Sequence, residues 1–306
     1  MNGSWGKHRE AFLQDGKARR LRATTMAEYT TSLDRFFKFL GDRPLDRGAV
    51  TDWTVAMQEE GLADRTITKH LRGLRVFVRF AAAETGEQPL KIRMPIVRQE
   101  RERPALTQEQ IERVDAHLNE HYPLAGRRGD KVRHLQYHLR FWFPLEVGLR
   151  IREGLAVRWN DIDLGRGTVY LAAAKTKNDR HAALTTVWGR LVELLGRVER
   201  QEGYLLYPLF GENKRISLTP GARPLTYQGY RRYLDTLNGQ VKLEIEFHAH
   251  DLRRTCITQM ILAGAPIPVV AGQVGHLRWS TTQIYDKSTA DQRVELLLKM
   301  MQQVSK

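Results

Sequence analysis

The run KIRMPIVRQERERP at residues 91–104 constrains the folding of this chain more than any other feature, because it cannot join a core. Its two prolines remove backbone donors, and five basic side chains against two acidic ones leave little apolar surface to bury, so it reads as an exposed basic linker. A chain of 306 residues with 42% apolar content has material for two domains, one on each side of such a break. The expected layout is a basic N-terminal extension at 1–19, a helical domain at 20–90, the linker, and a larger domain at 105–306.

Helical periodicity dominates both sides. From Thr25, Tyr29, Leu33, Phe36, Phe37 and Leu40 share one face, Thr25 and Glu28 have capping-box spacing, and Gly41 ends the run. A second stretch stops at Gly61. A third carries Ile67, Leu71, Leu74, Val78 and Ala81 in register up to Gly86, and it bears Arg65, Lys69, His70, Arg72, Arg75 and Arg79. These basic residues could face phosphates or form a solvated surface. Beyond the linker, Thr107 and Gln110 form another capping box, and Gly148 and Gly154 punctuate further helices. Strand character is confined to Thr168–Ala172 and His181–Leu184, joined through the turn-like Lys177-Asn178-Asp179. The fold class is therefore mainly α with a small β-sheet (α+β).

Charge narrows the function. Lysine and arginine number 49 against 35 acidic residues, a net charge of +14, which suits a polyanionic partner. No stretch of about 18 apolar residues occurs, so a membrane partner is not expected and the chain reads as cytoplasmic. A lone cysteine, Cys256, supports neither a disulfide nor a cysteine-rich metal site.

Three separated segments carry the candidate chemistry. In VGLRIREGLAVRWNDIDL, Arg150 follows Gly148-Leu149 at a helix start. In HAHDLRRTCITQM, His250 and Arg253 lie three apart on one helical face, within reach of a single phosphate. In VGHLRWSTTQIYDKST, His276 follows Gly275, and Tyr285 lies nine residues further. Together these segments resemble the tyrosine recombinase, or phage integrase, family. Its G-L-R-[IV]-x-E-L motif is matched by Gly148, Leu149, Arg150, Ile151 and Glu153. Its H-x-L-R-H-T is matched by His250, Leu252, Arg253 and Thr255, with Arg254 replacing the inner histidine. Its L-G-H and S-T-T-x-x-Y are matched by Val274, Gly275, His276, Ser280, Thr281, Thr282 and Tyr285.

The resemblance implies a site-specific DNA recombinase with a helical core-binding domain and a catalytic domain closing on duplex DNA. Such chemistry needs two guanidinium groups on the non-bridging phosphate oxygens, here Arg150 and Arg253, because bidentate charge-assisted bonds stabilise the crowded transition state. Tyr285 is the implied nucleophile, His250 the group sharing its proton, His276 a phosphate donor and Glu153 a buttress. The family's hairpin lysine, which protonates the leaving 5′-oxygen, maps to Lys177 with Lys175 as alternative; the proline that usually ends that hairpin is missing here. DNA contacts are expected from Arg65, Lys69, Arg72 and Arg75, and from linker residues Lys91, Arg93, Arg98, Arg101 and Arg103. No cofactor or metal is implied. The implied partners are a double-stranded DNA core site, three further copies in a tetramer on DNA, and accessory bending or directionality factors. The tail DQRVELLLKMMQQVSK, apolar at Val294, Leu297, Leu298 and Met301, suits a helix docked on a neighbouring protomer or capping its own domain. Rival readings are a DNA-binding protein without catalysis and a type IB-like relaxing enzyme.

Overall fold

The computed structural model describes residues 3–95, 104–172, 179–184, 186–197, 202–209, 221 and 223–286. The chain divides into two compact units, Met1–Glu102 and Arg103–Lys306.

The first unit is a bundle of α1 (Gly3–Ala18), α2 (Ala23–Leu40), α3 (Arg47–Glu59) and α4 (Asp64–Thr85). Its core holds Leu33, Phe36 and Leu40 of α2, Val50, Trp53 and Met57 of α3, and Ile67, Leu71, Leu74, Phe77 and Val78 of α4. The apolar stripes read from sequence are thus the buried faces. Gly86 ends α4 in the left-handed conformation, with φ of 72°, a region other residues enter only at a cost.

Three details differ from the sequence expectations. Within the segment 1–19, read as an extension, residues 3–18 fold as α1, whose Phe12 is buried against Phe77 and Phe80; one large aromatic is enough to dock a polar helix. α2 begins at Ala23 with Arg22 as its cap, so Thr25 lies inside the helix and the Thr25–Glu28 capping box does not form. At the start of the linker Ile92 is buried in the first core, because an isolated apolar side chain gains by leaving water even within a basic run.

The second unit surrounds α6 (Arg128–Val147), which is buried along nearly its whole length. α5 (Gln108–His121) packs on it and opens with the Thr107–Gln110 capping box. After the short α7 (Ile151–Gly154) come β1 (Ile162–Asp163), β2 (Thr168–Leu171) and β3 (Arg180–Ala183), an antiparallel sheet in that order. Val169 pairs with Ile162 and with Ala182, and all three side chains face the core. The two-residue β1 was not foreseen. α8 (Arg190–Gly196), α9 (Tyr227–Val241), α10 (Ala249–Leu262), α11 (Ile267–Val274) and α12 (Ser280–Gln283) complete the described elements.

Two buried polar side chains on α6, Gln136 and Glu146, find partners within the unit. Gln136 bridges the Leu205 carbonyl and the Tyr207 amide, and Glu146 accepts the amides of Thr186, Arg190 and Leu191 at the start of α8. Thr255 of α10 accepts from the Leu106 amide at 2.9 Å, fastening the start of this unit to the helix that carries His250 and Arg253. No helix among the described residues is long and apolar enough to cross a membrane.

Candidate active site

Arg150, Glu153, Arg253, His276 and Tyr285 come together in the second unit, although 135 residues separate the first from the last. The assembly starts at Gly148. It ends α6 with φ of 65°, and a Cβ there would lie 2.9 Å from both Cys256 Sγ and Val274 Cγ1, so α10 and α11 approach the backbone only because the residue is glycine. The turn delivers Arg150 as the cap of α7. Its amide and Nη1 donate to Glu153 at 3.1 and 3.0 Å, and its Nη2 donates to the Gly275 carbonyl at 3.2 Å.

Arg253 projects from α10 and is 2% exposed. Its Nη1 donates to the Gly148 carbonyl at 2.7 Å, whereas its Nη2 is buried without a hydrogen-bond partner among the described residues. Desolvation by burial and the nearby Arg150 lower its pKa to about 10, which leaves it fully charged at neutral pH. A buried guanidinium with one anchored and one unpartnered nitrogen is costly unless an anion completes it. Glu153 balances only part of this charge. Burial alone would raise its pKa, but hydrogen bonds and charge from Arg180 and Arg150 prevail and hold it below the ordinary value.

His276 follows the left-handed Gly275 at the end of α11, and its Nδ1 lies 2.9 Å from the buried Thr282 hydroxyl. Burial, then Arg253, Arg150, His250 and Arg180, push its pKa down to about 4, so it is neutral at physiological pH. Every charged neighbour in that series acts in the same direction, which marks a strongly positive pocket suited to an anion. His250 is solvent-exposed near the start of α10, and its pKa is lowered by desolvation, Arg253, Arg254 and Arg150 against the opposing Asp251.

Tyr285 is buried in a small cluster with Cys256, Ile257, Met260, Ile261, Val270 and Val274. Its ring lies parallel to that of His276, centroids 6.4 Å apart, and the Arg254 guanidinium sits 5.9 Å from its centre. Tyr285 and the arginines Arg150 and Arg253 therefore belong to the same unit.

Lys177 and Lys175 lie outside the described residues, as do Arg98, Arg101 and Arg103. On α4, Arg65, Lys69, Arg72 and Arg79 are exposed along one face, with Arg75 half-buried; Lys69 pairs with Glu28 at 3.5 Å. His70, read as part of that stripe, instead points inward to Ser32 Oγ at 3.1 Å, because helical spacing puts it next to Leu71 and Leu74 on the α2 side. Lys91 and Arg93 are exposed. Among the described residues no cluster of three or more His, Cys, Asp or Glu side chains could hold a metal ion.

Sequence reasoning missed Arg180. It donates through Nη2 to Glu153 at 2.9 Å and through Nε to the Gln273 carbonyl at 3.3 Å. The only signal available was an arginine directly after the hairpin turn, and nothing near it in sequence pointed to Glu153.

The α+β unit thus gathers a buried and a half-buried arginine, two histidines of lowered pKa and a tyrosine in one positive site suited to an anion such as a phosphodiester. Comparisons with known proteins agree. Residues 104–292 match the model described as "Phage integrase family", and residues 10–85 match "Phage integrase, N-terminal SAM-like domain". Tyrosine recombinase XerC of Bacillus subtilis (strain 168) is 28% identical over 270 residues, covering 85% of this chain and 84% of the relative. Tyrosine recombinase XerA of Thermococcus kodakarensis is 25% identical, covering 90% and 91%. Among solved structures, the fold resembles a lambda integrase tetramer bound to a Holliday junction, with a TM-score of 0.70 and 15% identity over 94% of this chain and 79% of that one. It also resembles the Tn1549 transposon integrase in complex with circular intermediate DNA, at 0.66 and 17% over 94% and 98%. The chain belongs to the phage integrase family and is a tyrosine-type site-specific DNA recombinase.

Proposed function

We propose that this chain cuts and rejoins duplex DNA at a defined core site through a 3′-phosphotyrosine at Tyr285, exchanging strands for integration or excision of a mobile element or for resolution of DNA multimers. The observation that carries this reading is the unpartnered, buried Nη2 of Arg253 beside an Arg150 already oriented by Glu153 and Gly275. Together they present fixed N–H donors to a phosphate and need no reorganisation as charge develops on its oxygens.

The Tyr285 oxygen attacks the phosphorus, and the bond from phosphorus to the deoxyribose 5′-oxygen breaks. The phenolic proton passes to His250, whose lowered pKa keeps it neutral and able to accept. The leaving oxygen takes a proton from the hairpin lysine, Lys177 or alternatively Lys175. His276 is neutral; with Nδ1 accepting from Thr282, its Nε2–H is the donor to the phosphate. One phosphodiester replaces another, so rejoining needs no nucleotide. The first unit, with Arg65, Lys69, Arg72 and Arg75, is proposed as the core-binding domain, and Arg93, Arg98, Arg101 and Arg103 as linker contacts. Four copies on DNA, passing through a Holliday junction, would complete the exchange, with bending or directionality factors setting its direction.

The test is incubation with a nicked suicide duplex, made from the flanks of the encoding locus, in EDTA. A protein–DNA band surviving a denaturing gel, and lost in Tyr285→Phe without loss of binding, is the expected result. A duplex bound tightly but never linked would favour a DNA-binding protein without catalysis.

A further inference from the structure

We propose that Arg180 is a positioning residue for the phosphoryl-transfer step, a strut that keeps Glu153 and therefore Arg150 in register with the β2–β3 hairpin. The proposal rests on the recombinase reading above and extends it.

One guanidinium here touches three elements. Arg180 opens β3, next to the segment that carries both candidate lysines. Its side chain is 13% exposed and reaches the 1%-exposed carboxylate of Glu153 on α7 and the Gln273 carbonyl on α11. It also lies flat against Gly275, where a Cβ would be 2.7 Å from its Cζ. Arg150 grips the same carboxylate and the Gly275 carbonyl from the other side. The result is a closed ring of contacts, from Arg150 through Glu153 and Arg180 to the Gln273–Gly275 backbone and back to Arg150. The side chain of Gln273 strengthens it by exchanging two hydrogen bonds with Ala183 of β3 and donating to the Val147 carbonyl.

The ring has an electrostatic reason. A buried carboxylate must be satisfied by cations, and with Arg150 as its sole partner Glu153 would draw that guanidinium toward both of its oxygens and away from a phosphate. Arg180 takes one oxygen, so Arg150 can hold the other and still present free N–H groups. Because Arg180 opens β3, the same contact ties that strand to Glu153 and so to Arg150. Arg180 itself is not assigned to the reacting atoms.

The experiment is single-turnover adduct formation by the full chain on the nicked duplex, alongside DNA affinity and the unfolding midpoint. Arg180→Ala is expected to slow adduct formation roughly 100-fold, the penalty of about 1 Å of misplacement in a catalytic group, while DNA affinity is retained. Arg180→Lys, whose ammonium can hold Glu153 but not also the Gln273 carbonyl, is expected to recover part of the rate. In a Glu153→Gln background Arg180→Ala is expected to add little, since both act through one contact. Wild-type rate in Arg180→Ala, or a loss that follows affinity or the folded fraction, overturns the proposal. Should the alanine variant not fold, the lysine variant decides: a slower rate at an unchanged midpoint supports the strut, and an unchanged rate refutes it. A wild-type chain that never forms the Tyr285-dependent adduct overturns the recombinase reading, and this proposal with it.

Discussion

Arg253→Lys tests the phosphate clamp most directly. The native guanidinium divides its work between Nη1, which donates to the Gly148 carbonyl at 2.7 Å, and Nη2, which has no described partner. A lysine ends in one nitrogen and cannot occupy both positions. If it keeps the Gly148 contact, the phosphate loses a donor; if it turns to the phosphate, the buried carbonyl is left unsatisfied. Losing one preorganised donor to a transition-state oxyanion costs about 2.7–4 kcal/mol, or roughly 10²–10³-fold in rate. Ground-state affinity, spread over many phosphates, should hardly change. Single-turnover cleavage of a nicked duplex on a denaturing gel, with affinity from a separate mobility-shift titration, separates the two. A Lys variant that cleaves within about threefold of wild type would refute the assignment of Arg253 to the transition state.

Other outcomes follow from neighbouring features. His138 is buried beside His134 and its pKa is lowered to about 4, so its native state favours the neutral form; its contribution is complete above the unfolded value near 6.5 and lost as pH falls toward 4, about 3 kcal/mol in all. Denaturant unfolding across that window should show the decline, and His138→Phe should remove the His138 share of it while leaving that of His276. Gly148→Ala combines a left-handed φ of 65° with contacts of 2.9 Å to Cys256 and Val274, and is expected to lose about 2–4 kcal/mol by chemical denaturation together with cleavage. Replacing Arg65, Arg72 and Arg75 by Gln should weaken DNA binding evenly across sequences. The slope of log affinity against log salt should fall by about one for each phosphate that no longer meets a guanidinium, read from titrations at several salt concentrations.

Much of the architecture was legible because it follows from local rules. The stripe from Ile67 to Ala81 had to face inward, Gly86 had to stop its helix, and Thr107 with Gln110 had to begin one. That Arg150, Glu153, Arg253, His276 and Tyr285 would gather was legible for a different reason: they sit in short motifs that together resemble those of the family. What escaped notice depends on long-range contact. α1 docks mainly through Phe12, so no periodic stripe announces it, and β1 is two residues long and exists only because Val169 lies opposite. Arg180 finds its carboxylate 27 residues upstream, a pairing that no local pattern encodes. Ile92 shows the reverse error, in which a basic composition concealed one anchoring side chain.

Gln273 carries a further consequence. Among the described residues β3 is the last strand of its sheet, and such a margin offers unpaired peptide groups to any passing extended chain. At Ala183 the Gln273 amide accepts from the peptide nitrogen at 2.8 Å and donates to the peptide oxygen at 2.9 Å, as another strand would. A side chain thus imitates a backbone and seals the sheet margin at that point against intermolecular strand addition. If several copies gather on one DNA molecule, as proposed above, their sheets would stand at high local concentration, where an unsealed margin would invite aggregation.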